Sequence, residues 1–508
     1  MKTDSIIIVG GGSAGWMTAA TLSKLFPKKK ITLIESKNYK TIGVGESTLG
    51  FIRGWMSLLE IKDEEFLPHT EGTYKLSIRF EDFNKKGESF HYPFGLPYEE
   101  DLTAGLNDWH FKKMMEPKTP IKNYAEFLYP VMALVNNNTI GESNGELGNF
   151  NLQNDTAFHF DATKFGLWLK DKMCIPNGVE HILDDIKTIE QDETGVTSLN
   201  NKYKADLFID CTGFKSLLLD KTLKEPFDSY EDILPNNSAW ATRIPYKDKE
   251  KELVPYTNCK AVENGWIWNI PSWNRIGTGY VYSDKHIDDD AALEQFKEHL
   301  NMDTSKLTFN KIKMRVGLHK RLFVKNVVAI GLSAGFIEPL ESNGLFTVHE
   351  FLIDLSKTLQ QEKLTQLDKD IYNNKCVKIF TRFAEFVATH WYMSKRDDTK
   401  YWRDLNNKSL QNHRLSKSDI NRVLNSRDYH HYFNDTGLHC IGTGMERFPT
   451  DHVSLITENY LREDFNDYLI RSFRGSVLKR DGKVNDWDRI AKRKTKLIDY
   501  LRKIHETN

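Results

Sequence analysis

The feature that most limits what this chain can fold into is a glycine-rich turn between two apolar runs near its N-terminus. Ser5–Val9 reads SIIIV, an apolar, β-branched run typical of a buried parallel strand. The turn Gly10–Gly15 (GGGSAG) follows, then a helical pattern to Leu25 and a second apolar run, Ile31–Ile34, that ends at Glu35. Strand, glycine turn, helix, strand and acid in this order form the dinucleotide-binding fingerprint in its proper context.

Each residue of the fingerprint has its own physical task. Gly10 permits the tight turn, Gly12 lets a pyrophosphate approach the backbone, and Gly15 lets the helix pack closely on the strand. The helix N-terminus offers free N–H groups to phosphates, and Glu35 is expected to accept hydrogen bonds from ribose hydroxyls. The competing interpretation, a purely structural glycine turn, is weakened by the flanking strands and by Glu35.

The rest of the chain predicts an α/β architecture with insertions. Ala205–Gly213 and Asn326–Gly331 have the composition of further strands, and between them Gly265–Pro271 and Gly277–Tyr282 suit an antiparallel pair. From Leu345 onward apolar residues recur at helical spacing. We therefore expect a two-dinucleotide-type, Rossmann-like α/β fold with an inserted antiparallel sheet and a helical C-terminal region. Residues 1–345 would form one dinucleotide-binding module with insertions, and residues 346–508 a mainly helical region.

Composition excludes several classes of protein. The chain has 508 residues, with 70 Lys and Arg against 71 Asp and Glu, so nothing in its charge calls for a nucleic-acid partner. The five cysteines lack a CxxC pair and the histidines lack metal-ligand spacing, which predicts reduced thiols and no metal. No run approaches the ~18 apolar residues of a membrane helix. We expect a soluble, cytoplasmic protein that does not bind a membrane.

FAD is favoured over NAD as the bound dinucleotide. Two-dinucleotide flavoproteins place a late strand such as Asn326–Gly331, and the segment that follows it, beside the ribityl chain. The sequence contains no second GxGxxG for a nicotinamide nucleotide. Reduced FAD is therefore expected from a separate flavin reductase.

Four motifs in order carry a family resemblance. They are GGGSAGW at Gly10–Trp16, GVGEST at Gly43–Thr48, GWIWNIP at Gly265–Pro271 and FIEPLESNG at Phe336–Gly344. Together they resemble a flavin-dependent halogenase of the tryptophan halogenase family, over roughly residues 1–360. The paired tryptophans separate that family from ordinary flavin monooxygenases. The resemblance implies an enzyme that uses reduced FAD, O2 and a halide ion to make hypohalous acid (HOX), which halogenates a small aromatic substrate.

The resemblance also implies that residues 1–345 form the FAD-binding and halide-oxidising module, with substrate-side insertions, and that residues 346–508 complete the substrate pocket. It further implies roles for individual residues. Lys75 is similar to the single lysine that such enzymes need, and Glu341 to their catalytic glutamate. Backbone N–H groups of Asn343 and Gly344 would bind the halide. The residues implied to contact FAD are Gly10, Gly12, Ser13, Ala14, Gly15, Glu35, Ile42, Val44, Gly45, Ser47, Ile186, Leu332, Ser333 and Leu345. The residues implied to separate flavin from substrate are Trp266, Trp268 and Pro271, and those expected to line the substrate pocket are His91, Tyr92 and Phe94.

The chemistry explains why a lysine and a carboxylate are needed. HOX is indiscriminate, so selectivity requires a passage to a substrate held apart from the flavin and a donor that fixes HOX there. A lysine ammonium has three donors and its pKa falls on burial, so Lys75 could hydrogen-bond HOX or become a haloamine; both remain open. A carboxylate can stabilise the arenium cation or take its ring proton. The competing interpretations are a solvated surface lysine and, for Glu341, a charge at a helix N-terminus.

Two departures from the family pattern bear on halide and substrate. Asn343 stands where chlorinating relatives usually carry threonine, which favours bromide or iodide over chloride. The C-terminal half shows no convincing Tyr-Tyr pair with a following glutamate to clamp an amino-acid group, which favours indole or a phenol over free tryptophan. An FAD-dependent aromatic hydroxylase is the alternative function. The regiochemistry, the reductase and any homo-oligomerisation stay open.

The basic tail allows two interpretations. Residues 471–508 carry twelve Lys and Arg against five Asp and Glu, and Ile490, Leu497, Ile498 and Leu501 would share one helical face. A basic amphipathic helix can mark a membrane or nucleic-acid surface. We expect instead a terminal helix packed on the body of the protein, with lysine stems lying along it.

Overall fold

A computed structural model describes residues 1–38, 46–102, 105–412, 435–447 and 463–506. Within these ranges the predicted strand Ser5–Val9 lies inside a six-stranded sheet, the nucleotide sheet. It pairs in parallel with Leu207–Asp210 on one side and with Lys30–Glu35 on the other. The strands follow one another across the sheet in the order Phe323–Val324, Val327–Ala329, Leu207–Asp210, Ser5–Val9, Lys30–Glu35 and Glu180–Leu183.

The glycine turn has the geometry that its sequence predicts. Gly10 has φ +114°, and a Cβ there would overlap the carbonyl oxygen of Cys211 on the neighbouring strand. The helix Ser13–Leu25 begins immediately after Gly12. A Cβ on Gly15 would overlap the carbonyl of Gly10, so glycine at both positions allows helix and strand to pack closely.

The predicted antiparallel insertion is a seven-stranded sheet. Gly265–Pro271, here called the tryptophan strand, pairs antiparallel with Ile276–Tyr282, and Trp268 lies opposite Gly279. One neighbouring pair, Ser77–Glu81 with Tyr256–Val262, is parallel. Across this sheet the order is Asn310–Lys313, Ser238–Ile244, Ile276–Tyr282, Gly265–Pro271, Tyr256–Val262, Ser77–Glu81 and Ser89–Pro93.

Smaller sheets join the two large ones. One consists of Glu46–Ser47, Ala157–Phe160 and Thr73–Lys75. Another consists of Phe227–Ser229, Gly317–His319 and Gly335–Phe336. Two-stranded pairs are Ile189–Asp192 with Gly195–Leu199, and Thr139–Ile140 with Thr495–Lys496.

Helices cover the sheets and dominate the C-terminal part, as expected from the apolar spacing after Leu345. Phe346–Thr358 packs on the fingerprint helix Ser13–Leu25, and Gln366–Met393 packs on Phe346–Thr358. The fold is thus the mixed α/β class that the sequence predicts, with a helical C-terminal region; the division at residue 345 stays a prediction. In the part of the chain that the structure describes, the other α-helices are Ile52–Leu58, Asp63–Phe66, Asp108–Met115, Asn123–Leu128, Val131–Asn137, Ala162–Leu169, Lys249–Glu252, Asp289–Leu300, Lys400–Asn412, Asp435–Gly444, Glu463–Ala491 and Leu497–Glu506.

The tail differs from the single amphipathic helix that its sequence suggests. The helix Glu463–Ala491 ends before the short strand Thr495–Lys496, which pairs with Thr139–Ile140, and Leu497–Glu506 starts a new helix. The strand pairing interrupts the helical face because its backbone groups bond to another segment. Leu497 and Leu501 are nonetheless fully buried, so the tail packs on the body. No helix in the described ranges is both long and apolar enough to cross a bilayer.

Candidate active site

A cavity of about 980 Å³ runs from the glycine turn to the tryptophan strand. At one end its wall includes Gly10–Ala14, Glu35 and Ile186, and at the other end Trp266 and Gly344. Its size lies at the upper end of the ~300–1,000 Å³ usual for ligand pockets. Its walls therefore join the dinucleotide fingerprint to the residues implied to lie beside the flavin ring.

The nucleotide end of the cavity is built around Glu35. Its Oε1 lies 2.7 Å from Nε2 of His181, on the next strand of the nucleotide sheet. A Cβ on Gly11 would overlap the Glu35 carboxylate, so the glycine turn brings its backbone directly against the acid. A ribose bound here would contact the Glu35 carboxylate, next to the backbone of the glycine turn, which would contact the phosphates. Sequence reasoning missed Gly11 and His181. The run of three consecutive glycines, Gly10–Gly12, was a signal for Gly11, whereas His181 had none.

The far end of the cavity is closed by the tryptophan strand. Trp266 and Trp268 lie on one face of it, with ring centroids 6.1 Å apart, and both contribute to the cavity wall. Trp266 Nε1 donates to Oε2 of the buried Glu338 at 2.9 Å. A Cβ on Gly279 would overlap the Trp268 ring, so that glycine provides the space in which the ring lies.

Lys75 lies just behind this cavity and is fully buried. Its Nζ donates to the backbone oxygen of Thr48 at 2.9 Å and to Oγ of Ser342 at 2.8 Å, and it lies 4.9 Å from the centre of the Phe94 ring. Burial lowers the pKa of Lys75 from its ordinary 10.5 to about 7, although Cys259 and Glu341 nearby act in the opposite direction. The interpretation of Lys75 as a solvated surface lysine is therefore wrong.

Ser342 is the residue shared by the cavity and by Lys75. It contributes to the cavity wall and accepts the Lys75 hydrogen bond. Its φ of +58° lies in the left-handed region, directly after the short 3₁₀ turn Pro339–Glu341. The next residue, Asn343, does not face the cavity: its Nδ2 donates to the Glu338 carbonyl at 2.8 Å, while Gly344 does line the cavity.

Glu341 is buried with its carboxylate unsatisfied. Oε1 lies 2.7 Å from Nε2 of His390, outside hydrogen-bonding alignment. Among the described residues neither carboxylate oxygen has a hydrogen-bond partner. Lys75 is close enough for the Glu341 charge to raise its pKa, so amine and carboxylate belong to one site.

The aromatic residues implied for the substrate pocket separate into two groups. Tyr92 and Phe94 lie together, with ring centroids 6.2 Å apart, and Phe94 faces Lys75. His91 lies on the opposite face of its strand, with Nδ1 2.9 Å from Ser77 Oγ and its ring against Tyr256. Side chains alternate along a strand, so neighbouring residues cannot share one pocket. The structure therefore places His91 on the opposite side of the strand from Tyr92 and Phe94, so its predicted place in the same pocket is wrong.

The residues implied for the cofactor are mostly brought together. Ile42, Val44 and Gly45 lie outside the described residues. Gly15 serves helix packing, and the Ser333 hydroxyl donates to the Ile330 carbonyl rather than facing the cavity. Those that line the cavity are Gly10, Gly12, Ser13, Ala14, Glu35, Ser47, Ile186, Leu332 and Leu345.

A buried hydrogen-bond chain near Lys75 was not predicted. His159 Nε2 lies 2.9 Å from Thr257 Oγ1, which in turn lies 2.7 Å from Ser47 Oγ in the cavity wall. At its other nitrogen His159 contacts Thr73 Oγ1, and Thr73 donates to the Pro271 carbonyl at 2.7 Å. Burial and the Lys75 charge hold the pKa of His159 well below its usual value, so the ring is neutral. These hydrogen bonds link the strand Thr73–Lys75 to the tryptophan strand.

Cys259 is a second unpredicted neighbour of the lysine. It contributes to the cavity wall, and its Sγ donates to the Leu340 carbonyl at 3.6 Å. Burial raises the pKa of the thiol. A cluster of three metal-binding side chains is not found in the described residues.

Comparison with known proteins decides the family. The family model described as tryptophan halogenase matches residues 5–459. The chain belongs to the tryptophan halogenase family. Membership makes this tryptophan halogenase homologue an enzyme, a flavin-dependent halogenase among the oxidoreductases, as its motifs predict.

Individual relatives of this tryptophan halogenase homologue match over most of their length. The 7-chloro-L-tryptophan 6-halogenase KtzR of Kutzneria sp. (strain 744) is 34% identical over 438 residues, 80% of this chain and 82% of that protein. The tryptophan 7-halogenase RebH of Lentzea aerocolonigenes is 31% identical over 488 residues, 88% of this chain and 90% of that protein. The solved apo structure of VirX1 has a TM-score of 0.89 at 37% identity and covers 99% of both chains.

Proposed function

We propose that this enzyme uses reduced FAD, O2 and a halide to form HOX, which passes Ser342 to reach Lys75 and halogenates an electron-rich aromatic such as an indole or a phenol. The observation that carries the proposal is the position of Ser342. It belongs to the wall of the large cavity on one side and accepts the Lys75 hydrogen bond on the other.

The cavity fits FAD by the chemistry of its walls. The glycine turn and the N-terminus of Ser13–Leu25 present backbone N–H groups suited to the diphosphate. Glu35 would accept from the ribose, and Trp266 and Trp268 would close the ring end. When bound in its reduced form, FAD supplies the activation of O2 that oxidises the halide. The backbone of Asn343 and Gly344 would hold the halide beside it.

Lys75 would fix HOX for the substrate. Its two present acceptors, Thr48 and Ser342, leave one ammonium hydrogen for a ligand. A pKa of about 7 means that both ammonium and neutral amine are populated near neutral pH. The amine can therefore act as a hydrogen-bond donor or form a haloamine.

Glu341 would act on the ring after the halogen has been added. Its unsatisfied carboxylate lies in the same site as Lys75 and can stabilise the positively charged arenium. The aromatic rings beside the lysine, Tyr92 and Phe94, offer apolar contact to a flat substrate.

An indole is the favoured substrate class. The relatives KtzR and RebH carry names that give 7-chlorotryptophan and tryptophan as their substrates, and both contain an indole ring. The sequence of the C-terminal half shows no convincing Tyr-Tyr pair with a following glutamate, which favours an indole without a free amino-acid group. Free tryptophan and a phenol are therefore comparison substrates in the test.

A direct assay tests the proposal. The enzyme is incubated with FAD, a flavin reductase, NADH, bromide and indole, and the products are measured by mass. Halogenated indole supports the proposal, whereas a hydroxylated product would establish the alternative aromatic hydroxylase. Tight FAD binding with neither product contradicts both. Repeating the assay with tryptophan and phenol ranks the substrate classes.

Halide choice is tested at Asn343. We expect bromide or iodide to outcompete chloride, and Asn343→Thr to shift the preference toward chloride. The substitution removes the hydrogen bond from the Asn343 side chain to the Glu338 carbonyl and so changes the backbone at Asn343 and Gly344 that would hold the halide. Product masses from equimolar halide mixtures give the preference directly. Equal or better chlorination by the unaltered enzyme would contradict this expectation.

A further inference from the structure

The Glu341 carboxylate has a titratable side chain at ion-pair distance, to which sequence reasoning assigned no role. His390 is on the long helix Gln366–Met393 and is fully buried. Its Nε2 lies 2.7 Å from Glu341 Oε1. Both side chains are completely removed from solvent, so water does not screen this contact.

The other nitrogen of His390 fixes the state of the ring. Nδ1 lies 3.0 Å from the Val387 carbonyl and 3.3 Å from the Phe386 carbonyl, and both of these atoms can only accept. Nδ1 must therefore carry a hydrogen. In a neutral ring Nε2 would then hold a lone pair 2.7 Å from a carboxylate oxygen, off the line of good hydrogen-bond alignment. That contact is repulsive unless one further proton lies on Nε2 or on Oε1.

Packing prevents the imidazole from turning away. The Phe80 ring lies 4.9 Å from it and the Phe386 ring 5.4 Å, centroid to centroid. Trp391 lies 6.2 Å away on the same helix. An apolar cage of this kind holds the ring at Glu341 and strengthens a charge-assisted contact within it.

We infer that His390 is a positioning residue that shares one proton with Glu341 Oε1 and so presents Oε2 as the oxygen that takes the ring proton. This inference rests on the proposed function. The imperfect alignment of the pair fits an unliganded site, because catalytic hydrogen bonds often tighten only when substrate is bound.

The proton balance of the step is complete. The aromatic carbon forms its bond to the halogen of HOX, and the oxygen of HOX leaves as water after taking a proton from the Lys75 ammonium. The carbon–hydrogen bond of the arenium then breaks, its electron pair restores the aromatic ring, and the proton goes to Glu341 Oε2. That proton returns to the Lys75 amine, so the net reaction is aromatic C–H plus HOX giving aromatic C–X plus water.

Two variants separate positioning from packing. His390→Leu fills a similar volume but cannot donate to Oε1, whereas the amide nitrogen of His390→Gln can donate from near the position of Nε2. Product formation is measured with indole and with ring-deuterated indole, together with a soluble trap for HOX and flavin reoxidation. The trap and reoxidation report oxidant formation, which His390 does not serve.

The expected result is a specific pattern of rates. The rate of product formation should fall by about tenfold or more in His390→Leu, which is less than the factor of about 10²–10⁴ that a general acid or base itself contributes. The variant should also show a deuterium isotope effect, because ring deprotonation becomes slow. His390→Gln should recover much of the rate and lose most of the isotope effect. Should the leucine variant not fold, His390→Asn, whose amide is too short to reach Oε1, replaces it.

Two results would overturn the inference while leaving the proposed function standing. One is wild-type product formation by His390→Leu. The other is an equal loss in both variants with no isotope effect, which would mean that His390 only packs. If the unaltered enzyme forms neither trapped HOX nor product, the proposed function itself fails.

Discussion

Lys75 is a buried amine held between two acceptors, and under the proposed function its removal should separate oxidant formation from oxidant delivery. Lys75→Ala should leave FAD binding, O2 consumption and flavin reoxidation nearly unchanged, because the side chain is not part of the cavity wall. Halogenated indole should fall to background, since lost orientation alone can cost several orders of magnitude. Product and trapped HOX are measured in the same reaction.

Lys75→Arg is the matched variant for that experiment. Its guanidinium keeps the charge but stays protonated and does not fit the space of an ammonium, so it should not restore product. Halogenation of indole by Lys75→Ala at the wild-type rate would remove the lysine from the mechanism.

The lowered pKa of Lys75 also makes a prediction about stability. Between about pH 7 and pH 10 the unfolded chain holds a proton at this position that the folded chain has lost. In this pH range the free energy of unfolding of the wild type therefore rises with pH, and Lys75 contributes up to about 1.4 kcal/mol per pH unit to that rise. Lys75→Met lacks this contribution, so its stability relative to wild type should be highest at pH 7 and below and should decline as the pH rises.

Unfolding midpoint temperatures of both proteins across this pH range measure the effect. Lys37→Met, at an exposed lysine, is the control and should follow wild type at every pH. A difference between Lys75→Met and wild type that does not change with pH would show that the amine is not buried as described.

At the scale of elements, the tryptophan strand depends on a glycine in its neighbour. Gly279→Ala would place a Cβ in the space of the Trp268 ring and displace it, at a typical overpacking cost of about 1–3 kcal/mol. We expect halogenated product to fall roughly ten- to a hundredfold while more HOX reaches the trap, because the wall between the two sites is disturbed. The ratio of trapped HOX to product is the measurement.

Gly54→Ala is the control for that substitution. A Cβ there meets nothing within 4 Å, and the residue lies inside the helix Ile52–Leu58. It should leave the ratio unchanged and stabilise the helix by up to about 1 kcal/mol. An unchanged ratio in Gly279→Ala would mean that Trp268 does not separate the sites.

The same elements show what a sequence can predict. Ser5–Val9, Gly10 and Gly15 carry a local signal, since strand, turn and helix are adjacent in the chain, and their arrangement was predicted to within a residue. The space that Gly279 leaves for the Trp268 ring depends on the register of the two strands, which is set by their pairing. Such cross-strand contacts have no local signature.

The site contacts are still more distant in the chain. Lys75 and Ser342 are 267 positions apart, and their hydrogen bond joins the strand Thr73–Lys75 to the residue that follows the 3₁₀ turn Pro339–Glu341. The family resemblance supplied both Lys75 and Glu341, but it did not supply His390 or His159, which only the packing of a helix and a strand brings there. The C-terminal break at Thr495–Lys496 was missed because an apolar helical face continues across it.

The sequence as a whole contains one dinucleotide fingerprint, so we expect the electrons to come from a separate protein. NADPH alone should therefore not reduce the bound FAD at a useful rate, and a separate flavin reductase with NADH should. Stopped-flow absorbance of the flavin compares the two conditions directly. Rapid bleaching by NADPH without any reductase would contradict the expectation.

The HOX of the proposed function would also meet a thiol of the protein itself. A thiolate reacts readily with HOX, and Cys259 lies in the cavity wall near the lysine. Burial keeps that sulfur protonated and its hydrogen bonded to the Leu340 carbonyl, which reduces its nucleophilicity. Under the proposed function, the burial that lowers the pKa of the Lys75 amine would thus also protect Cys259 and lengthen the working life of each enzyme molecule.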